Sequence, residues 1–202
     1  FIHNDSIKYV KWSGNSISNI EYFDEINDNA NFTGNLNIVS KKNEDTLIAV
    51  GSENIFYVDK NSMIKSSFLS FPYSTYYDHL IENDKIYMSG KGPSGNQTIS
   101  SYNLITGLLN YEYTSTENGE FVRIDMDSLN HLITAGSGNN KLNVACINKV
   151  NGQIEWINYL DTVSYANMTV QDLVVNNENS YVAVSGYSSN NNSSDAIIFF
   201  NE

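Results

Sequence analysis

A tight turn between two apolar runs recurs along the chain at a nearly constant interval. Its clearest copy is Asn151-Gly152, where Asn-Gly favours a hairpin because both residues tolerate a positive φ. Related turns end at Gly14, Ser62 and Gly107, so the successive intervals to Gly152 are 48, 45 and 45 residues. A period of this size indicates an array of similar structural repeats.

A second landmark has a similar period, because a glycine closes an apolar run in each repeat. These glycines are Gly51, Gly90, Gly136 and Gly186. Each repeat is therefore predicted to contain four strands, a to d. A polar turn joins strand a to strand b, a loop follows the glycine that ends strand b, and a tight turn joins strand c to strand d. Four short strands in about 40–50 residues, without helical periodicity, are typical of a β-propeller blade, which is a four-stranded antiparallel sheet.

The repeats predict a single all-β domain, a β-propeller of about four to four and a half blades. Stacking blades in a ring buries the apolar faces that an isolated blade leaves exposed. The chain alternatively forms part of a ring of about six to eight blades, or another chain supplies the missing strands. The complete repeats are predicted at residues 34–71, 76–116 and 120–162, and the partial ones at 1–33 and 168–202.

The tight turns carry a resemblance to a known family. Residues 106–111 (TGLLNY) and 151–156 (NGQIEW) resemble the T-G-x-x-x-W signature of quinoprotein-type (PQQ-like) β-propeller repeats. In that family the tryptophan docks between neighbouring blades, and the resemblance gives this role to Trp156 and to Tyr111. The segment from Val122 to Gly136 is similar to the a–b hairpin of bacterial-type propeller repeats. The resemblance implies a fold and not an activity, because propellers host unrelated functions.

Charge and hydropathy argue against two kinds of partner. The net charge is -12, and Arg123 is the only arginine. A nucleic-acid binder presents a basic face, and anionic membranes also attract basic segments. No stretch reaches the roughly 18–20 apolar residues of a spanning helix. We expect neither nucleic-acid binding nor direct insertion into a membrane.

Cysteine and histidine usage predicts neither a cofactor nor a catalytic site. Cys146 is the only cysteine and lies in an apolar run, so we expect a small buried hydrophobe. It cannot form the vicinal cysteine pair that the quinone-dependent dehydrogenases of the family use. The histidines His3, His79 and His131 lack metal-ligand spacing, and no motif marks a nucleophile beside them. We expect these histidines to be surface or strand residues.

One turn offers weak candidates for a calcium site, although no metal is expected. Asp125, Asp127 and Asn130 supply oxygen atoms within a few residues. This turn lacks the glycine and the bidentate glutamate of a calcium-binding loop. A solvated hairpin turn is the expected structure.

Six asparagines lie in N-x-S/T sequons, which permit a secreted or cell-surface glycoprotein and are also compatible with asparagine-rich surface loops. The candidate glycosylation sites are Asn4, Asn31, Asn96, Asn167, Asn191 and Asn192.

Aromatic residues between the first two complete repeats are the candidate binding residues: Phe71, Tyr73, Tyr76 and Tyr77. Exposed aromatic rings there could stack on a sugar or anchor a protein. The structural alternative is that these rings pack between blades.

The resulting functional hypothesis is a non-catalytic, secreted or cell-surface scaffold that binds a protein or a glycan. One alternative is an enzyme whose active site lies in a central channel and is completed by residues outside this chain. The other is a structural subunit that self-associates into a fibre or oligomer.

Overall fold

The computed structural model describes residues 2–3, 6–13, 16–23, 36–41, 46–51, 54–59, 65–70, 74–138, 141–161, 168–176, 181–188 and 193–200. Every regular element in these segments is a β-strand, so the prediction of an all-β fold is confirmed. Two compact units make up the chain, Phe1–Pro72 and Tyr73–Glu202.

The N-terminal compact unit contains two antiparallel sheets, of three and four strands, in which sequence neighbours pair. Ile48, Val50 and Ile55 are among its buried side chains. The strands of the first sheet are β1 (Ile2–His3), β2 (Ser6–Ser13) and β3 (Ser16–Phe23). Those of the second are β4 (Leu36–Lys41), β5 (Thr46–Gly51), β6 (Asn54–Asp59) and β7 (Lys65–Ser70).

The C-terminal compact unit contains a seven-stranded and a three-stranded antiparallel sheet, and sequence neighbours again pair. The larger sheet consists of β8 (Thr75–Glu82), β9 (Lys85–Lys91), β10 (Asn96–Asn103), β11 (Leu109–Met126), β12 (His131–Gly138), β13 (Lys141–Asn148) and β14 (Ile154–Asp161). The smaller sheet consists of β15 (Met168–Asn176), β16 (Tyr181–Ser188) and β17 (Ser193–Phe200).

Strand β11 belongs to two successive repeats. It pairs with β10 as far as Asn118 and with β12 from Gly119 onward. Gly119 has a φ of 150°, and a Cβ there would lie 2.1 Å from the carbonyl oxygen of Ser137, so only glycine fits. The sequence predicted a boundary between residues 116 and 120. One continuous strand spans this interval and joins the two repeats in a single sheet.

Each a–b hairpin carries a β-bulge beside its glycine. In the third repeat Val122 is the extra residue, next to the pair formed with Gly136. A Cβ on Gly136 would lie 2.0 Å from the carbonyl oxygen of Glu120, because the bulged strand presses on its partner. The periodic glycine seen in the sequence thus marks a repeated backbone contact. The same register shift occurs beside Gly51, Gly90 and Gly186.

The aromatic residues of the two TGxxxW-like turns pack where successive repeats meet. Trp156 lies against a buried cluster that includes Val170 and Leu173 of β15, in the next repeat. Tyr111 packs over the turn of the next repeat, since a Cβ on Gly152 would lie 2.3 Å from its ring.

Two aspartates connect strand a of one repeat to strand a of the next. The Asp78 carboxylate accepts from the backbone N–H of its neighbour His79, at 2.9 Å, and of Ile124 on β11, at 3.1 Å. Asp125 on β11 accepts in the same way from Val175 on β15, at 3.3 Å. Burial raises the pKa of Asp78 although these N–H donors favour its ionised form.

Removing the first of these carboxylates should destabilise the C-terminal compact unit. Asp78→Ala leaves the Ile124 N–H without its acceptor, and we expect the free energy of unfolding to fall by about 2 kcal/mol. Asp78→Asn keeps one acceptor oxygen and should cost about half as much. Urea denaturation measures both variants. Asp84→Ala, in an exposed turn, is the control, and equal losses at positions 78 and 84 would contradict the bridging role.

Candidate metal-binding site

Four side chains with acid–base or metal-ligand chemistry meet in the third repeat. Asp127 lies in the turn after β11, His131 begins β12, Cys146 is on β13 and Glu155 is on β14. Asp127 Oδ1 accepts the backbone N–H of His131 at 2.8 Å and that of Leu129 at 2.9 Å, which fixes the turn. These bonds fix the backbone of His131 at the start of β12.

A β-bulge brings Glu155 into this group. Cys146 pairs with Trp156 and the next residue, Ile147, pairs with Ile154, so Glu155 is the extra residue. A bulge re-aims the side chain it contains. Here Glu155 Oε2 lies 3.2 Å from His131 Nε2 and 3.9 Å from Cys146 Sγ.

Hydrogen bonds on the outer side of the cluster orient two of its members. Asp127 Oδ2 lies 2.8 Å from His131 Nδ1, and Asn148 Nδ2 donates to Glu155 Oε1 at 3.1 Å. One ligand atom each from His131, Cys146 and Glu155 then lie within 4.8 Å of one another. We call these three residues the His-Cys-Glu cluster.

The cluster lies at the boundary between core and solvent. The side chains of His131 and Glu155 are 24% and 36% exposed, whereas Cys146 is 2% exposed. Burial, together with the negative charges of Glu155 and Asp127, raises the pKa of the Cys146 thiol to about 12. A buried, protonated thiol is a poor nucleophile, so the geometry does not favour cysteine catalysis. Thiol, imidazole and carboxylate together are a typical ligand set for zinc.

The weak calcium candidates do not share a common centre. The Asp125 carboxylate bonds to the backbone of β15, and Asp127 faces His131. Asn130 Oδ1 accepts from the Lys149 ammonium at 3.1 Å. A cationic neighbour at Asn130 opposes calcium binding there.

The structure corrects the expectation of an exposed aromatic surface at Tyr76. This ring is 1% exposed and its hydroxyl lies 2.7 Å from Ser100 Oγ, so Tyr76 is a core residue. Its phenol pKa is raised, chiefly by burial. Tyr77 is half-buried, and burial raises its pKa to about 12. Phe71 and Tyr73 lie outside the described residues.

Among the sequons, only Asn96 lies in the part of the chain that the structure describes. Asn96 is half-buried, and its side-chain Nδ2 donates to the carbonyl oxygen of Ser115 at 2.7 Å. The other five fall outside the described segments: Asn4, Asn31, Asn167, Asn191 and Asn192.

Large aliphatic side chains are exposed in the turns at one end of the seven-stranded sheet. Contacts between turns place them at this common end, since Lys149 Nζ lies 2.7 Å from Glu82 Oε2 and 3.1 Å from Asn130 Oδ1, and the Leu104 N–H donates to the Asp84 carbonyl. We call these residues the turn-end patch: Ile105 (68% exposed), Leu108 (67%), Leu129 (71%) and Val150 (81%).

Comparison with known proteins supports the fold. Neither a protein-family model nor a curated protein matches the chain. The extracellular domain of the one-component system BT4673 from B. thetaiotaomicron is 14% identical, with a TM-score of 0.61 over 90% of this chain and 24% of that one. Luciferin-regenerating enzyme is 13% identical, with a TM-score of 0.57 over 96% of this chain and 70% of that one.

A third similar structure is the dihydro-heme d1 dehydrogenase NirN, which is 9% identical, with a TM-score of 0.57 over 98% of this chain and 43% of that one. These neighbours are propeller-like. At such low sequence identities the similarity is evidence for the fold and not for a function. Within the described segments there is no helix with the length and hydropathy needed to cross a membrane.

Proposed function

We propose that the chain is a secreted or cell-surface β-propeller module that binds a protein partner and has no catalytic role. The periodic bulge beside glycine, the aromatic docking of Tyr111 and Trp156, and the propeller-like neighbours support the ring fold. The six N-x-S/T sequons are compatible with a secreted or cell-surface location.

The observation that carries the binding role is the turn-end patch. Its four aliphatic side chains are each at least 67% exposed, although the chain carries a net charge of -12. Exposed apolar side chains gathered at one end of a sheet are typical of a protein-binding surface, because a partner removes them from water.

The chemistry of the turn-end patch favours a protein over a glycan. Sugar rings are usually bound by stacking on aromatic faces, and the patch consists of leucine, isoleucine and valine. Tyr76, one of the aromatic residues that the sequence suggested for binding, is in the core. We therefore propose an apolar protein surface as the partner.

The test removes apolar area from the patch and measures affinity. Extracellular proteins of the source organism that are retained on the immobilised chain are purified one by one, and their dissociation constants are measured by calorimetry. We expect Leu108→Ser/Val150→Ser to weaken the binding of the partner at least tenfold, because two exposed anchors lose their apolar contacts.

Val174→Ser is the matched control, since Val174 is 54% exposed on β15 and is not a turn residue. It should leave the dissociation constant unchanged. Equal affinity of the double variant and the wild type for every retained protein would overturn the proposal. A homo-oligomer that dissociates on the double substitution, seen by sedimentation, would replace it with self-assembly.

A further inference from the structure

We propose that the His-Cys-Glu cluster binds one Zn²⁺ ion through His131 Nε2, Cys146 Sγ and Glu155 Oε2. A water molecule would complete a tetrahedral site, since the side chains of His131 and Glu155 are 24% and 36% exposed. Asp127 acts as a positioning residue for His131 and does not touch the ion. This inference is independent of the protein-binding role.

The spacing of the three ligand atoms fits one metal ion. Typical Zn–N, Zn–O and Zn–S bonds in a tetrahedron place neighbouring ligand atoms about 3.3–3.6 Å apart. Here Glu155 Oε2 lies 3.2 Å from His131 Nε2 and 3.9 Å from Cys146 Sγ, and all three atoms fall within 4.8 Å.

The outer hydrogen bonds are those that a zinc site requires. A histidine ligand normally donates its second N–H to a carboxylate or carbonyl, which fixes the tautomer that presents the other nitrogen. Asp127 Oδ2 provides this acceptor for His131 Nδ1 at 2.8 Å. Asn148 holds the second oxygen of Glu155 at 3.1 Å, so its Oε2 remains directed at the cluster.

The preceding repeat provides an internal comparison, because its strands place different residues at the same positions. His131 and Lys85 each stand five residues before the bulge-associated glycine of their repeat. Cys146 pairs with Trp156, and Ser101 pairs with Tyr111 of the matching turn. The two repeats therefore align residue by residue at this point.

The third position of the comparison is the bulge residue itself. Glu155 in the third repeat corresponds to Asn110 in the second, where Asn110 Nδ2 donates to Ser101 Oγ at 3.1 Å. The fold thus forms with lysine, serine and asparagine at these positions. The sheet therefore does not require histidine, cysteine and glutamate at these three positions, although all three are zinc-ligand residues in the third repeat.

Zinc binding involves the loss of one proton. The Cys146 thiol gives its proton to solvent as the thiolate bonds to Zn²⁺, and no oxidation or reduction occurs. In the metal-free chain the thiol donates to Glu155 Oε2 at 3.9 Å. The positive charge of the ion would offset the repulsion between the thiolate and the Glu155 carboxylate.

The test uses the whole chain, freed of metal by chelation, and titrates it with Co²⁺ as a spectroscopic substitute for Zn²⁺. We expect one ion per chain, a visible spectrum of tetrahedral cobalt, and a thiolate-to-cobalt charge-transfer band that Zn²⁺ bleaches. Cys146→Ser should abolish that band. Asp127→Asn should weaken affinity about 10–100-fold, because it removes the group that orients His131.

A triple variant copies the preceding repeat and so has a known precedent in this fold: His131→Lys/Cys146→Ser/Glu155→Asn. It should fold, as judged by circular dichroism, and show no charge-transfer band. Asp84→Asn removes an exposed carboxylate from the second repeat and should bind Co²⁺ like the wild type. A wild-type titration without the band, or equal affinity in the triple variant, means diffuse binding to the acidic surface and overturns the proposal.

Discussion

Gly136→Ala should lower the free energy of unfolding by about 3 kcal/mol, which is a shift of the melting temperature of about 10 °C. A Cβ at this position would lie 2.0 Å from the carbonyl oxygen of Glu120 and 2.8 Å from the Cα of Phe121. Both atoms are backbone, so no flexible side chain can move aside. Strand a would have to separate from strand b, which breaks ladder hydrogen bonds around the buried Phe121 ring.

Gly92→Ala is the control for this substitution. Gly92 is also buried, but a Cβ there would meet its nearest neighbour, Thr98 Cβ, at an ordinary 3.6 Å. We expect a change within about 1 kcal/mol, because alanine also restricts the unfolded chain. Urea denaturation followed by tryptophan fluorescence, to which Trp12 and Trp156 both contribute, compares the two variants. Similar stabilities of both variants would show that the bulge does not need glycine.

The periodic features of the fold were accessible from the sequence because each has a local cause. Gly152 has a φ of 73° in its turn, and Gly107 has the same value in the equivalent turn of the preceding repeat. Gly90 and Gly136 recur because the bulged strand leaves no room for a side chain. Backbone constraints of this kind restrict the residue type at one position, and so they remain visible in the sequence.

The continuity of β11 was not predictable from composition. Residues 114–119 (TSTENG) contain no apolar residue, so no hydrophobic alternation marks them as part of a strand. They remain extended because Asn118 pairs with Asn96, whose side chain also donates to the Ser115 carbonyl. This partner is about twenty residues away in the chain, beyond the reach of a local pattern.

The His-Cys-Glu cluster was missed for a related reason. Its members are separated by 15 and 9 residues and lie on three strands, so no short ligand motif connects them. Glu155 joins only because a bulge shifts it from its regular position. An alignment of the repeats at Gly90 and Gly136 shows that His131 stands where the preceding repeat has Lys85. The bulge that adds Glu155 to the cluster is visible only in the structure.

A drop in pH from 7 to 5 should destabilise the wild type by about 2 kcal/mol more than His79→Gln. His79 is 6% exposed on β8, and burial lowers its pKa from 6.5 to about 4. Between these values the unfolded chain binds a proton that the folded chain excludes. The stabilisation by neutral His79 is complete above pH 6.5 and is lost progressively as the pH falls toward 4.

Comparing the wild type with His79→Gln at each pH separates the contribution of His79 to stability from the contributions of the other titrating groups. The raised pKa of Asp78 acts in the opposite direction, since the folded chain then holds its proton more tightly, and this effect is present in both variants. Urea denaturation at pH 7, 6 and 5 stays above the isoelectric point of about 4.5, where precipitation would interfere. Parallel pH profiles of the wild type and His79→Gln would show that His79 accepts a proton without leaving the core. A steeper fall in the wild type, beginning between pH 7 and 6, is the result that burial of a neutral imidazole requires.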